Sequence, residues 1–196
     1  MPLLIATRNA HKLQEIRALL PGVELLGTDA YPQVPDPEET GSTFEENASI
    51  KARAWAAATG LPALADDSGL EVAALGGAPG IHSARYAGQH GDAAANNAKL
   101  LRALAGVKGK EARAARFVCV LALALPTGEV RTLRGECKGH LLETLSGVNG
   151  FGYDPLFVPE GYEASFGELP DEVKARLSHR ARAFQLAAEA WGDLLH

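Results

Sequence analysis

Cysteine is scarce: two residues in 196, standing apart at Cys119 and Cys137. Neither belongs to a CxxC pair or a disulfide framework, so both read as reduced thiols. Cys119 has the apolar neighbours of a core residue, which argues against a catalytic nucleophile. Excess positive charge is also lacking. Nineteen Lys and Arg against 24 Asp and Glu leave a net charge of −5, the wrong sign for a protein whose main partner is a nucleic-acid polymer. No apolar run approaches the roughly 20 residues of a membrane-spanning helix. The most apolar segment, CVLALAL at 119–125, ends at Pro126. The opening MPLLIATRN has too short an apolar run for a secretory signal and no basic residues before it. A cytoplasmic location is the expectation, with no membrane partner. Internal repeats, low-complexity tracts and linkers are likewise missing.

What remains is an ordinary globular composition, 46% apolar and 22% charged, in a chain long enough for one sizeable core. The expectation is one domain spanning 1–196, or two lobes sharing one sheet. LLIAT (3–7) reads as a short buried strand, followed by a helix over NAHKLQEIRALL with Leu13, Ile16, Leu19 and Leu20 on one face. Thr43 with Glu46 three residues later resembles a capping box, opening a helix that stops near Gly60. LPALA (61–65) is a second strand, expected to deliver an acidic pair at its C-terminal end. GGAPGIHSARYAG (76–88) reads as a loop, and Asp92 as the cap of a helix reaching Leu104 and stopped by Gly106. Two strands, 116–125 and 130–139, flank the turn PTGE as an antiparallel hairpin. SGVNGFGYDP reads as a glycine-rich loop before a short strand around LFV. A closing helix starts near Ser178, with Phe184, Ala187, Ala188, Trp191 and Leu195 on one face. Strands alternating with helices, plus a hairpin, indicate an α/β protein with a mixed sheet.

Four segments carry residue types suited to chemistry. TRNAHK (7–12) lies at a strand-to-helix turn, where free backbone N–H groups favour anions. Thr7 and Asn9 add neutral donors and Lys12 a point charge; the plainer use is Asn9 as helix cap and Lys12 as solvated surface. The phosphate loop G-x-x-x-x-G-K is not present. The second segment set is acidic: Glu38 and Glu39 in DPEETG, then Asp66 and Asp67 in LADDSGLEV. Hard cations such as Mg²⁺ take one or two protein carboxylates and fill their shell with phosphate oxygens and water. Successive strand residues point opposite ways, so the two aspartates should differ in role: Asp67 facing substrate, Asp66 supporting it or capping a turn. An Asx-turn at D-S-G explains only one of the two.

The third segment, FGYDP (151–155), offers the flat face of Phe151 and a fixed acceptor in Asp154, with glycines permitting close approach. Such a set suits a heterocycle; the alternative makes Phe151 and Tyr153 core aromatics. In the fourth, KARLSHRAR (174–182), Ser178 is a good N-cap. Lys174, His179 and Arg180 gather at the start of the helix it opens, where cations oppose the macrodipole and something anionic should compensate them.

Together these segments resemble the inosine triphosphate pyrophosphatase family nearly end to end. The likeness rests on T-x-N-x-x-K at Thr7–Lys12, EETGSTFEENASIKA at 38–52 and ADDSGLEVAALGGAPGIHSARYAG at 65–88. FGYDP at 151–155 and K-x-x-x-S-H-R ending at Arg180 complete it. The resemblance implies hydrolysis of deaminated purine nucleoside triphosphates (ITP, dITP, XTP) between the α and β phosphates, giving monophosphate and pyrophosphate. It further implies Mg²⁺, a two-lobed α/β fold with a central mixed sheet flanked by helices and the active cleft between the lobes, and a homodimer. Carried over by motif, Asp67 is the catalytic acid-base residue and a metal ligand beside Glu39. Thr7, Arg8, Asn9, Lys12 and Lys174 take the triphosphate, and Ser68 contacts substrate. Phe151 stacks on the base within the run Phe151, Gly152, Tyr153, Asp154, while Asp154, His179 and Arg180 line the base and sugar pocket. The sequence departs from the family pattern at Arg8, at Arg182 after SHR-Ala, and at His82.

Overall fold

The computed structural model describes residues 2–192. Six strands form one mixed sheet in the order β2-β1-β3-β4-β5-β6. They are β1 (Leu3–Ile5), β2 (Leu25–Gly27), β3 (Ala63–Val72), β4 (Ala114–Ala124), β5 (Val130–Leu141) and β6 (Phe157–Pro159). The helices are α1 (Ala10–Leu19), α2 (Phe44–Thr59), α3 (Ala93–Ala103), α4 (Asp171–Leu177) and α5 (His179–Trp191). The chain divides into two compact units, each discontinuous in sequence: 2–67, 119–135 and 183–192 in the first, 68–118 and 136–182 in the second. Among the described residues no helix is long and apolar enough to cross a membrane.

In the first unit β1 pairs in parallel with β2 and with β3, as a β-α-β connection through a helix requires. Its core joins Leu3 and Ile5 of β1, Ile16 of α1, Leu64 of β3, Cys119, Leu121 and Leu123 of β4, and Phe184, Ala187 and Trp191 of α5. Asn9 caps α1 by accepting from the amides of His11 and Lys12. Thr43 caps α2 by accepting from Glu46 N at 3.1 Å, while Glu46 reaches back to accept from Ser42 N at 2.6 Å. Gly60 closes α2 at φ 69°, a left-handed position where glycine carries no Cβ penalty. Ala188, expected on the apolar face of α5, is exposed and Ala183 is buried instead: the stripe follows 184, 187 and 191, and 188 falls past its edge. Leu195 lies outside the described residues.

In the second unit β5 pairs antiparallel with β6. The core gathers Leu70 and Val72, Leu100 and Leu104 of α3, Phe117, Leu141, Tyr153, Phe157 and Phe166. Three expectations are corrected. β3 does not stop at residue 65 but runs ten residues, carrying the acidic pair in its middle. The segment 76–88 contains a 3-10 helix at Gly80–Arg85. And the stretch before Ser178 is itself a helix, α4, so Lys174 sits in that helix's last turn, where a cation suits the dipole, rather than at a helix start. Ser178 breaks the two helices at ψ 157° and caps α5 by accepting from Ala181 N at 3.1 Å.

One buried charge here is structural. Arg113, 4% exposed, donates to the carbonyls of Leu141, Leu104, Val107 and Leu142. Those carbonyls lie at the ends of α3 and β5, so the guanidinium satisfies acceptors of which the Leu104 and Leu141 carbonyls are buried. Arg113→Met strands them, and the free energy of unfolding should fall by about 2–4 kcal/mol, read from the urea midpoint. An unchanged midpoint would show that solvent replaces the side chain.

Candidate active site

Two groups of side chains account for the candidate residues, one in each unit. The first is built on β3. Asp66 and Asp67 are 2% and 6% exposed, and an ionised carboxylate at that depth is tolerated only with compensation. Two helices supply it. Lys12, in the first turn of α1, places Nζ 3.1 Å from Asp66 Oδ2. Lys51 of α2 places Nζ 3.3 Å from Asp67 Oδ1, 3.0 Å from Glu39 Oε1 and 2.8 Å from the Asp66 carbonyl. Cys119 Sγ approaches Asp66 Oδ2 at 4.0 Å. The alternation of a strand thus assigns each aspartate its own lysine. Neither caps a turn, and the expected turn-capping use of Asp66 is replaced by this buried ion pair.

The remaining residues of the 7–12 turn behave as local structure. Thr7 Oγ1 accepts from Asn9 N at 3.2 Å, and Asn9 is the helix cap. Arg8 is exposed, 2.7 Å from Asp36 Oδ2 and donating to the Val34 carbonyl. Lys12, by contrast, is no solvated surface lysine.

Burial pushes the Asp67 carboxyl above its ordinary 3.8; Lys51 and then Lys12 oppose the rise, and Glu39 and Asp66 add to it. Burial pulls Lys51 down, but Asp67, Asp66 and Glu39 outweigh it and the ammonium titrates above its ordinary value. Lys51 was not among the residues singled out from sequence, although it lies inside the 38–52 motif. The usable signal was a lysine on the helix between two acidic segments, four residues after Asn47, which is buried on the same helix. Among the described residues no three His, Cys, Asp or Glu side chains group to hold a metal. Glu39 and Asp67 do converge on one cation, the Lys51 ammonium, and Asp67 Oδ2 is buried with no hydrogen-bond partner among the described residues. Two hard oxygen donors with one free suit a small divalent ion that brings substrate phosphates with it.

The second group lies around Phe151–Asp154. Asp154, 2% exposed, accepts on Oδ2 from Phe151 N at 2.8 Å and from Lys174 Nζ at 2.7 Å. The same ammonium lies 4.4 Å from the Phe151 ring centroid. A Cβ at Gly150 would stand 2.1 Å from that carboxylate, and its φ is +70°, so glycine is required there on both counts. Tyr153 is buried and donates its hydroxyl to the Ser83 carbonyl at 2.7 Å. Lys174, expected with the triphosphate, is therefore gathered with Asp154 and Phe151. His179 stacks on Phe117 with centroids 4.8 Å apart. Arg180, 1% exposed, donates from Nη2 to Ser68 Oγ at 3.2 Å. Ser68 follows Asp67 directly along β3, so a single strand carries members of both groups.

This combination, an α/β chain whose buried acidic strand is balanced by helix lysines and whose aromatic loop is held by an ionic pair, suits a ligand with both anionic and flat aromatic parts. The comparisons with known proteins narrow it. The Ham1 family model matches residues 3–190, and the chain belongs to that family. It is similar to the dITP/XTP pyrophosphatase of Streptomyces avermitilis, 52% identical over 197 residues and covering 98% of each chain. The enzyme of the same name from Syntrophobacter fumaroxidans is 55% identical over 183 residues, 92% of this chain and 78% of that one. Among solved structures, the Ham1 protein of Staphylococcus aureus superposes with a TM-score of 0.88 at 40% identity, covering 98% of this chain and 100% of that one. The nucleoside-triphosphatase / dITP/XTP pyrophosphatase of Mycobacterium abscessus gives 0.80 at 47% identity, over 97% and 99%.

The raised Asp67 value has a consequence for stability. A native value above the unfolded one means that the folded protein holds a proton which the unfolded chain releases just above pH 3.8. Ionising Asp67 therefore costs native stability progressively as pH rises from there through the native value. Asp67→Asn escapes it. Its Tm should exceed that of the parent by about 2–5 °C at pH 7.5, with the gap narrowing at pH 4.5. A gap of the same size at both values, in thermal melts, would refute the sign.

Proposed function

We propose that this protein hydrolyses non-standard purine nucleoside triphosphates, of the dITP and XTP kind that its curated relatives are named for, to the monophosphate and pyrophosphate. The observation that carries the reading is the buried pair Asp66–Asp67 with Lys12 and Lys51. An acidic pair of that depth costs stability and makes sense as a site for cationic and phosphate chemistry.

Asp67 and Glu39 are the residues to hold Mg²⁺, which when bound neutralises phosphate charge and polarises the α phosphorus. Asp67 accepts, at Oδ2, the proton of the water that attacks that phosphorus. The water oxygen forms a bond to phosphorus, the bridging oxygen to the β phosphate departs with its electron pair, and pyrophosphate leaves. Lys12 and Lys51 stabilise the charge that builds on the leaving oxygens. Thr7, Arg8 and Asn9, at the amino end of α1, line the phosphate path. No nucleophilic Ser or Cys is needed.

The base falls to the second group. Phe151 supplies a stacking face; Gly152, Asp154, Lys174, His179 and Arg180 supply polar contacts, and Ser68 also contacts substrate. Hypoxanthine and xanthine carry a carbonyl at position 6 where adenine carries an amino group, so donors from Arg180 or His179 are satisfied by the former and opposed by the latter. An unpaired buried donor costs about 1–3 kcal/mol, and several of them support discrimination of roughly 10⁴. On the family resemblance we also assign a homodimer in the cytoplasm.

The deciding measurement is pyrophosphate release from ITP, dITP, XTP, ATP and GTP, with and without Mg²⁺. Release confined to the deaminated substrates and dependent on the metal is expected; release equally from ATP would overturn the reading. Asp67→Asn should lower kcat by about 10³-fold or more with the fold intact by circular dichroism, and near-parental turnover would remove the residue from the chemistry. Arg180→Ala should narrow the ITP-over-ATP ratio of kcat/KM by about tenfold; a ratio that persists assigns base reading to another group.

A further inference from the structure

We propose that Asn97 and Tyr153 are positioning residues that fix the segment Phe151–Asp154 in its base-binding shape, Asn97 from α3 and Tyr153 by tying the segment to Ser83. The inference rests on reading that segment as the base site. Asn97 lies on α3 far from any motif the function uses, is 4% exposed, and donates from Nδ2 to the Gly152 carbonyl at 2.8 Å. Tyr153 adds a second tether through its hydroxyl on the Ser83 carbonyl at 2.7 Å. Between them the two bonds hold consecutive residues in the middle of a segment whose ends Phe151 and Asp154 bond to each other. Gly150 and Gly152 have φ of 70° and 61°, and glycine leaves the backbone many alternatives.

The frame on which they pull is stiff. Ser83 is buried, its Oγ accepting from Leu70 N at 2.8 Å and donating to the Gly80 carbonyl at 2.6 Å. Asn96, next to Asn97, accepts from Ala87 N at 2.7 Å and donates to the Ala84 carbonyl at 3.2 Å. Leu100 and Leu104 root α3 in the core. The motif 76–88, which the chemistry leaves without a role, thereby gains one: it is the anchor for the base loop. Burial holds the Tyr153 phenol far above its ordinary value, so the tether is a donor at every working pH. Asn97 is a poor device for stability alone. Its Oδ1 is buried with no partner among the described residues, an arrangement that leucine, of similar size, would avoid. Retaining the amide makes sense for what Nδ2 holds.

Asn97→Leu and Tyr153→Phe each remove one tether with little change in volume. Amide hydrogen exchange of the free protein should speed up by about tenfold at residues 151–154, leaving β1 and α1 unchanged. Steady-state kinetics with ITP and Mg²⁺ should show KM rising about three- to tenfold, with kcat changing less, and the double variant more affected than either single one. Exchange that stays slow at 151–154, or kcat falling at constant KM, overturns the proposal. If the parent protein releases no pyrophosphate from ITP, the base-site reading fails, and exchange alone then decides whether these residues hold the segment.

Discussion

The constraint on which the first unit depends is that two adjacent carboxylates lie inside a buried strand. Ionised groups at the depth of Asp66 and Asp67 require a cation each, and the helices deliver them with positions set by their caps. Asn9 fixes where α1 begins, and Lys12 falls three residues on, inside the first turn. A cation there opposes the helix dipole, and no acidic residue of that turn relieves it. Asp66 supplies the relief from outside the helix. Thr43 fixes α2 in the same way, so that Lys51, two turns along, meets Asp67 and Glu39. Capping, usually a matter of local stability, here decides which charges meet.

The charge count of that group explains why a divalent ion belongs in the reaction. Lys12 and Lys51 stand against Glu39, Asp66 and Asp67, so the group carries one net negative charge when all are ionised. A bare triphosphate is repelled by such a site. A divalent cation on the proposed ligands Asp67 and Glu39 would offset that repulsion, since a hard cation takes carboxylate and phosphate oxygens together. On the proposed reading the two lysines, already engaged with carboxylates, would exchange part of that engagement for phosphate oxygens without leaving a buried charge alone.

Much of this was legible in the residues, for reasons that differ from one element to the next. Local signals served well: the Asn9 and Thr43 caps, the Gly60 terminus, the PTGE hairpin and the Ser178 cap are all short-range hydrogen-bonding preferences that the fold respects. The length of β3 was not legible. D-S-G has the composition of a turn, and only its neighbours in the sheet keep it extended, a case of tertiary context overriding propensity. The helix Asp171–Leu177 is hidden in the sequence because Ser178 is a strong N-cap signal, and that serine ends one helix as it caps the next. Lys51 escaped notice since a lysine on a helix is ordinarily surface, and what makes it otherwise is three acidic groups brought together from Glu39 and β3. Asn97 escaped for the same reason, because its partner lies 55 positions away.

Asp154 shows how the second group is held together. One oxygen of this carboxylate accepts both from the Phe151 amide and from the Lys174 ammonium, and that ammonium faces the Phe151 ring. The aromatic face is thus fixed at its backbone by the same oxygen that fixes the cation above its ring. Any ligand that draws Lys174 away removes a charged donor from the buried Asp154 carboxylate, which is unfavourable. A ligand that stacks on the ring while sharing the ammonium keeps every partner satisfied. On the proposed reading, a flat, carbonyl-bearing heterocycle suits that pairing of charges before any group reads the edge of the base.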